Sequence, residues 1–142
     1  MPLVRRSVAA VGTITLALVL AGCSLDTVVW GPEGAAVIRQ ADRVIAAGAS
    51  EDAAAVACDD SGADFGESAD WRGLEPGEPE RFDPGSWRSD PVPLDAEWII
   101  NLELDGSRVS EGLRFPGDVL FGEHDGELCV IDVLWSTIDS VG

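Results

Sequence analysis

An α+β domain is predicted from residue 32 onward, on two periodicities and their order. Apolar residues recur at helical spacing over Pro32 to Ala47, whereas Glu97 to Leu104 and Glu127 to Trp135 alternate as half-buried strands do. Helices first and strands afterwards describe one or two N-terminal helices packed against a curved, cone-like antiparallel sheet of three to four strands.

In the first segment Val37, Ile38, Ala41, Val44 and Ile45 form one stripe, and Glu33, Arg39, Gln40, Asp42 and Arg43 face elsewhere. Pro32 suits the first helical turn, where its missing N–H would have no partner, and Gly48 ends the pattern. Ser50, followed by Glu51 and Asp52, reads as the N-cap and acidic first turn of a second short helix through Ala57 and Cys58.

From Asp59 to about Pro93 the periodicity dissolves into Gly, Pro, Asp and Glu, which predicts a long irregular connection. A structureless stretch of that length is uncommon in a compact domain, so Phe65, Trp71, Phe82 and Trp87 are expected to pin it to the core.

The strands follow. Trp98, Ile100, Leu102 and Leu104 share one face, and Asp105-Gly106 is a hairpin signal leading into a strand over Arg108 to Phe115. Pro116-Gly117 is expected to break the chain before a further strand, Asp118 to Gly122. Asp125-Gly126 then turns it into the last strand, with Cys129, Ile131, Val133 and Trp135 opposite Val130, Asp132 and Leu134.

The N-terminal end has different chemistry. Arg5 and Arg6 precede an apolar run, Val8 to Leu20, which is shorter than the roughly 20 residues needed to cross the hydrocarbon core of a membrane. A basic end, an apolar stretch and small residues before a cut are the three zones of a secretory signal. The run closes on Leu20, Ala21, Gly22 and Cys23. This tetrad resembles the lipobox of bacterial lipoproteins at every position. The resemblance implies a signal peptide over 1–22, recognition of Leu20, Ala21 and Gly22 by signal peptidase II, and a diacylglycerol thioether, with palmitate-type acyl chains, on Cys23. A thiol is the nucleophile such a transfer needs, and two or three acyl chains hold a protein stably where one holds it marginally. The expected location is the outer face of the cell membrane. The partners expected are the membrane, through Cys23, and an envelope protein or small ligand.

A leader of 22 residues leaves 120 of the 142, enough for one domain with one core over 32–142. Ser24 to Gly31 then form a short tether, with Cys23 at its head, that reaches on the order of 30 Å when fully extended. Its Val28, Val29 and Trp30 are expected either to pack on the domain as a short strand or, for Trp30, to rest among lipid headgroups.

Nine basic residues stand against 26 acidic ones, and removing Arg5 and Arg6 takes the formal charge from −17 to −19. Such a surface repels nucleic acid and anionic lipid headgroups and attracts cations or basic partners, so nucleic-acid binding is not expected. Every basic residue is Arg and none is Lys, a usage typical of a GC-rich genome such as those of actinobacteria.

With Cys23 committed to lipid, Cys58 and Cys129 remain, and outside the reducing cytoplasm they are expected to pair. Closing a loop of about 70 residues contributes roughly 4 kcal/mol in the chain-entropy model. No CxxC spacing marks a redox pair. A metal site needs more ligands than two distant thiols, and the one histidine, His124, falls in a predicted turn.

No catalytic constellation is visible: no GxSxG elbow surrounds any serine, and a Ser-His-Asp triad would have to use His124. Asp59, Asp60, Asp64 and Glu67 lack the spacing of a calcium loop, with Phe65 where the turn glycine belongs. No cofactor is expected. Trp71, Trp87, Trp98 and Trp135 could line a ligand pocket or fill the core. The order of elements from Pro32 to Trp135 resembles the NTF2-like or cystatin-like domains of small exported proteins. Three functions stay open: an envelope binding or interaction module without enzymatic activity, a small-molecule-binding or enzymatic NTF2-like domain, and a structural envelope protein.

Overall fold

A computed structural model describes residues 24–139. The predicted leader, Leu20, Ala21, Gly22 and Cys23 lie outside the described residues. One helix, α1 (Leu25–Ala49), packs on a four-stranded antiparallel sheet of β1 (Leu74–Arg81), β2 (Trp98–Leu104), β3 (Arg114–His124) and β4 (Glu127–Thr137). The strands lie in chain order and the sheet does not close on itself. The predicted α+β class holds, with four strands and one helix.

Helix α1 is two helical pieces joined at Gly31, whose φ of 72° and ψ of 175° interrupt the helical backbone. Pro32 opens the second piece, as its fixed φ and missing N–H favour. The first piece corrects the expected extended tether: Ser24 caps it, its hydroxyl accepting from the Thr27 N–H at 3.3 Å, so Leu25 to Trp30 wind into a turn of helix.

Ser50 also takes a different part from the one expected. Its hydroxyl donates to the Ala46 carbonyl at 2.8 Å, and it closes α1 rather than opening a second helix. That second helix shrinks to a 3-10 turn, Ala53–Ala55. The chain beyond it is drawn out along the free edge of β4, where the Cys58 N–H donates to the Val130 carbonyl and the Val130 N–H to Val56, both at 2.9 Å.

The connection expected to be irregular over 59–93 contains β1. Pro76, Gly77 and Pro79 disguise it as loop, but an edge strand needs partners on one side only, and there Pro is tolerated. The β1–β2 register slips between Pro76 and Pro79, and the Asn101 carboxamide fills the gap, accepting from the Glu78 N–H at 2.7 Å. A Cβ on Gly77 would collide with that carboxamide.

Pro116-Gly117 does not break the chain. β3 runs through it with a register shift between Pro116 and Asp118. Asp105-Gly106 is not a two-residue hairpin either: the Asp105 carboxylate accepts from the Ser107 N–H at 3.1 Å, a 3-10 turn follows, and the strand predicted from Arg108 starts only at Arg114. The Asp125-Gly126 turn forms as expected, both residues having positive φ (52° and 80°).

The core joins Val37, Ile38, Ala41 and Val44 of α1 to Ile100 and Leu102 of β2, Val119 and Phe121 of β3, and Val130 and Val133 of β4. Trp98 and Leu104 pack against this cluster on the predicted face. In β4 the prediction is off by a bulge. Phe121 pairs with Val130 and Leu120 with Asp132, so Ile131 is the extra residue, and Val130 joins Val133 inside. Trp71, fully buried, seals the end of the helix, its indole N–H donating to the Phe65 carbonyl at 2.6 Å. Phe65 and Trp71 thus pin the loop to the core as expected, whereas Phe82 and Trp87 pack on each other and are not part of the core cluster.

Candidate functional site

The two cysteines at 58 and 129, 71 residues apart in sequence, form a disulfide with Cα atoms 4.9 Å apart. One side of the bridge comes from the extended segment after the 3-10 turn, and the other from β4 just past the Asp125-Gly126 turn. His124 ends β3 beside it, with Nε2 4.0 Å from an Asp59 carboxylate oxygen and 3.5 Å from one of Asp125. The disulfide, Asp59 and His124 together make a ridge with an open cleft of about 540 Å³ on each flank.

The two clefts differ in charge. The first lies between α1 and the β3–β4 turn, and α1 supplies Ala36, Arg39, Gln40 and Arg43 at positions that share its flank. Arg43 Nη1 donates to Gln40 Oε1 at 3.4 Å. Among the described residues neither Arg39 nor Arg43 forms an ion pair, whereas Arg81 and Arg114 do, with Glu33 and Asp64. Glu127 and Asp59 line the same cleft, so it presents both signs of charge. The second cleft is acidic, lined by Asp59, Asp60, Asp95, Glu97 and Glu123, with Leu94 and Ile131 as its apolar part. Two-signed and apolar groups around an open hollow suit recognition of a partner surface or an extended ligand.

On the sheet face away from α1, Asp118 lies beside Glu80, Asn101 and Glu103 in a smaller hollow of about 320 Å³. Burial, with the Glu80 carboxylate adding to it, pushes the Asp118 carboxyl above its ordinary range.

The four tryptophans considered as a pocket lining do not converge. Trp71 is core. Trp98 lies under the Arg81 guanidinium, 4.1 Å from the ring centre, and Trp135 under that of Arg114 at 4.0 Å. Trp87 meets Phe82 edge-on at 5.3 Å. No tryptophan lines either cleft, which corrects the tryptophan-lined pocket. Each ring is claimed by its own neighbour, an arginine, a phenylalanine or the helix end. The space between helix and sheet is filled by the apolar core.

Two acidic residues of the 59–70 segment, Asp64 and Asp70, serve the loop. Asp64 accepts from the Gly66 N–H at 2.9 Å and pairs with Arg114, and the Asp70 carboxylate accepts from the Glu67 N–H at 2.8 Å. Among the described residues no group of three or more His, Cys, Asp or Glu side chains is placed to hold a metal ion. Among them, too, no helix is long and apolar enough to cross a membrane.

Sequence reading found the disulfide and missed both clefts. Arg39 and Arg43 were visible only as polar positions of a helix. Their four-residue spacing was the one available sign that they act together.

No family model, characterised protein or solved structure matches this chain. Any functional reading therefore stands on the residues and their arrangement.

Proposed function

We propose that this chain is a lipid-anchored protein of the bacterial cell envelope whose domain acts as a binding module at the outer face of the membrane. The observation that carries the reading is the tetrad Leu20-Ala21-Gly22-Cys23 at the end of an apolar run with a basic start. Its resemblance to the lipobox makes Cys23 the first residue of the mature protein, held to the bilayer by its acyl chains. The disulfide supports this division of labour: the chain has three cysteines, two are bonded to each other, and Cys23 alone remains for acylation.

The two clefts beside the disulfide are the proposed binding face. Arg39 and Arg43, which form no ion pair among the described residues, on one flank and five carboxylates on the other offer a partner charge of either sign. A strongly acidic surface elsewhere favours partners carrying basic patches and steers them by long-range attraction. The NTF2-like alternative needs a ligand cavity between helix and sheet, and core side chains occupy that space.

Metabolic labelling with palmitate tests the anchor. Wild type is expected to take up label and Cys23→Ala to take up none; equal labelling of the two overturns the reading.

A further inference from the structure

Seven large apolar side chains are exposed among the described residues, and four of them crowd into the first helical piece: Leu25 (76% exposed), Val28 (72%), Val29 (59%) and Trp30 (37%). Leu25, Val28 and Val29 are spaced three and four apart and so share one face. Trp30 projects roughly 140° round the helix from Leu25 at 100° per residue. Gly34, the first buried residue of the second piece, lies against it: a Cβ there would stand 2.7 Å from Trp30 Cβ and 3.5 Å from Pro79 of β1. Trp30 thus lies against the second helical piece and is the least exposed of the four, whereas Leu25, Val28 and Val29 are left more open. Gly31, at a φ that side chains rarely adopt, sets the turn at its own angle to the rest of α1.

We propose that Leu25, Val28 and Val29 form a foot that dips into the interfacial zone of the lipid bilayer, so that the domain is seated on the membrane rather than swinging from its anchor. This rests on the reading of Cys23 as the acylated residue, and three observations choose lipid as the occupant. Cys23 precedes Leu25 by only two residues, about 7 Å of chain, so acyl chains there bring the stripe to the bilayer surface. Three aliphatic side chains are far less than the roughly 800 Å² per partner of a stable dimer. A second copy of the mature chain, of formal charge −19 once Arg5 and Arg6 are removed from the −17 of the whole, is also repelled by the first. An apolar turn at the membrane boundary gains by burial in the headgroup and acyl region without needing to span it.

The test uses the chain purified from the membranes of cells that make it, reconstituted into phosphatidylcholine vesicles in which part of the lipid carries bromine close to the headgroup. Val28→Trp puts a reporter in the stripe. Val109→Trp is the control, an exposed position in the loop beyond Leu104, at the end of the sheet remote from Glu33 and the helix start. The emission added by Val28→Trp is expected to be largely lost to bromine quenching, and that of Val109→Trp to be retained. Equal quenching of the two, or none at residue 28, overturns the foot. Palmitate labelling of the same preparations separates the two ideas. A labelled chain unquenched at residue 28 removes the foot and keeps the anchor, an unlabelled chain quenched there removes the anchor and keeps the foot, and an unlabelled, unquenched chain removes both.

Discussion

The indole of Trp71 occupies the space where a Cβ of Gly48 would stand, so the last turn of α1 and the loop before β1 are in direct contact at that glycine. In an exposed helix Gly→Ala stabilises by up to about 1 kcal/mol. Here the sign reverses, because the added methyl meets a fully buried ring hydrogen-bonded to Phe65. Gly48→Ala is expected to destabilise by about 1–3 kcal/mol, the usual penalty of overpacking, measured as a lower urea midpoint. A midpoint at or above that of wild type contradicts this packing.

The disulfide joins segments 71 residues apart and fixes the strip that lies parallel to the edge of β4. Replacing both cysteines by Ala is expected to lower stability by about 4 kcal/mol through the larger freedom of the unfolded chain. Urea titration of the double variant against oxidised wild type measures it. A loss under about 1 kcal/mol, the size of one hydrogen bond, means the bridge does not hold the fold.

Asp118 gives a pH signature. Because burial raises its pKa, the folded state holds this proton more tightly than the unfolded chain does. The group therefore favours folding at low pH, and that contribution is lost as pH rises through the folded pKa. Above that pKa it is a half-buried charge. Asp118→Asn is expected to raise the urea midpoint at pH 7 and to leave it unchanged near pH 3, where both residues are neutral. An equal gain at both pH values assigns the effect to packing instead.

Asn101 plugs the register slip in β1. Asn101→Ala leaves the Glu78 N–H without its partner and is expected to lose about 1 kcal/mol. Faster hydrogen exchange confined to the Glu78 amide and its β1 neighbours is the specific readout, and unchanged exchange there contradicts the role.

What the sequence made legible follows from how each feature is encoded. The helix over Val37 to Val44, the alternation from Trp98 to Leu104 and the Asp125-Gly126 turn are local patterns, and all three appear where expected. Strand β1 escaped because Leu74–Arg81 carries two prolines and a glycine, and its pairing comes entirely from β2. The face of Val130 escaped because the bulge at Ile131 shifts the alternation by one residue, and a bulge leaves no composition signal. The clefts were hidden for a related reason: residues near 39, 59 and 124 meet only once the sheet and the disulfide bring them together. The tetrad ending in Cys23 is a linear string of four residues, so no fold is needed to see its resemblance to a lipobox.

The central claim is that Cys23 is acylated and begins the mature protein. Mass spectrometry of the N-terminal peptide, taken from protein extracted from cell membranes, tests it most directly. The account predicts a peptide starting at Cys23 whose mass includes a thioether-linked diacylglycerol; a peptide with a free Cys23 thiol, or one still carrying Leu20 to Gly22, contradicts it.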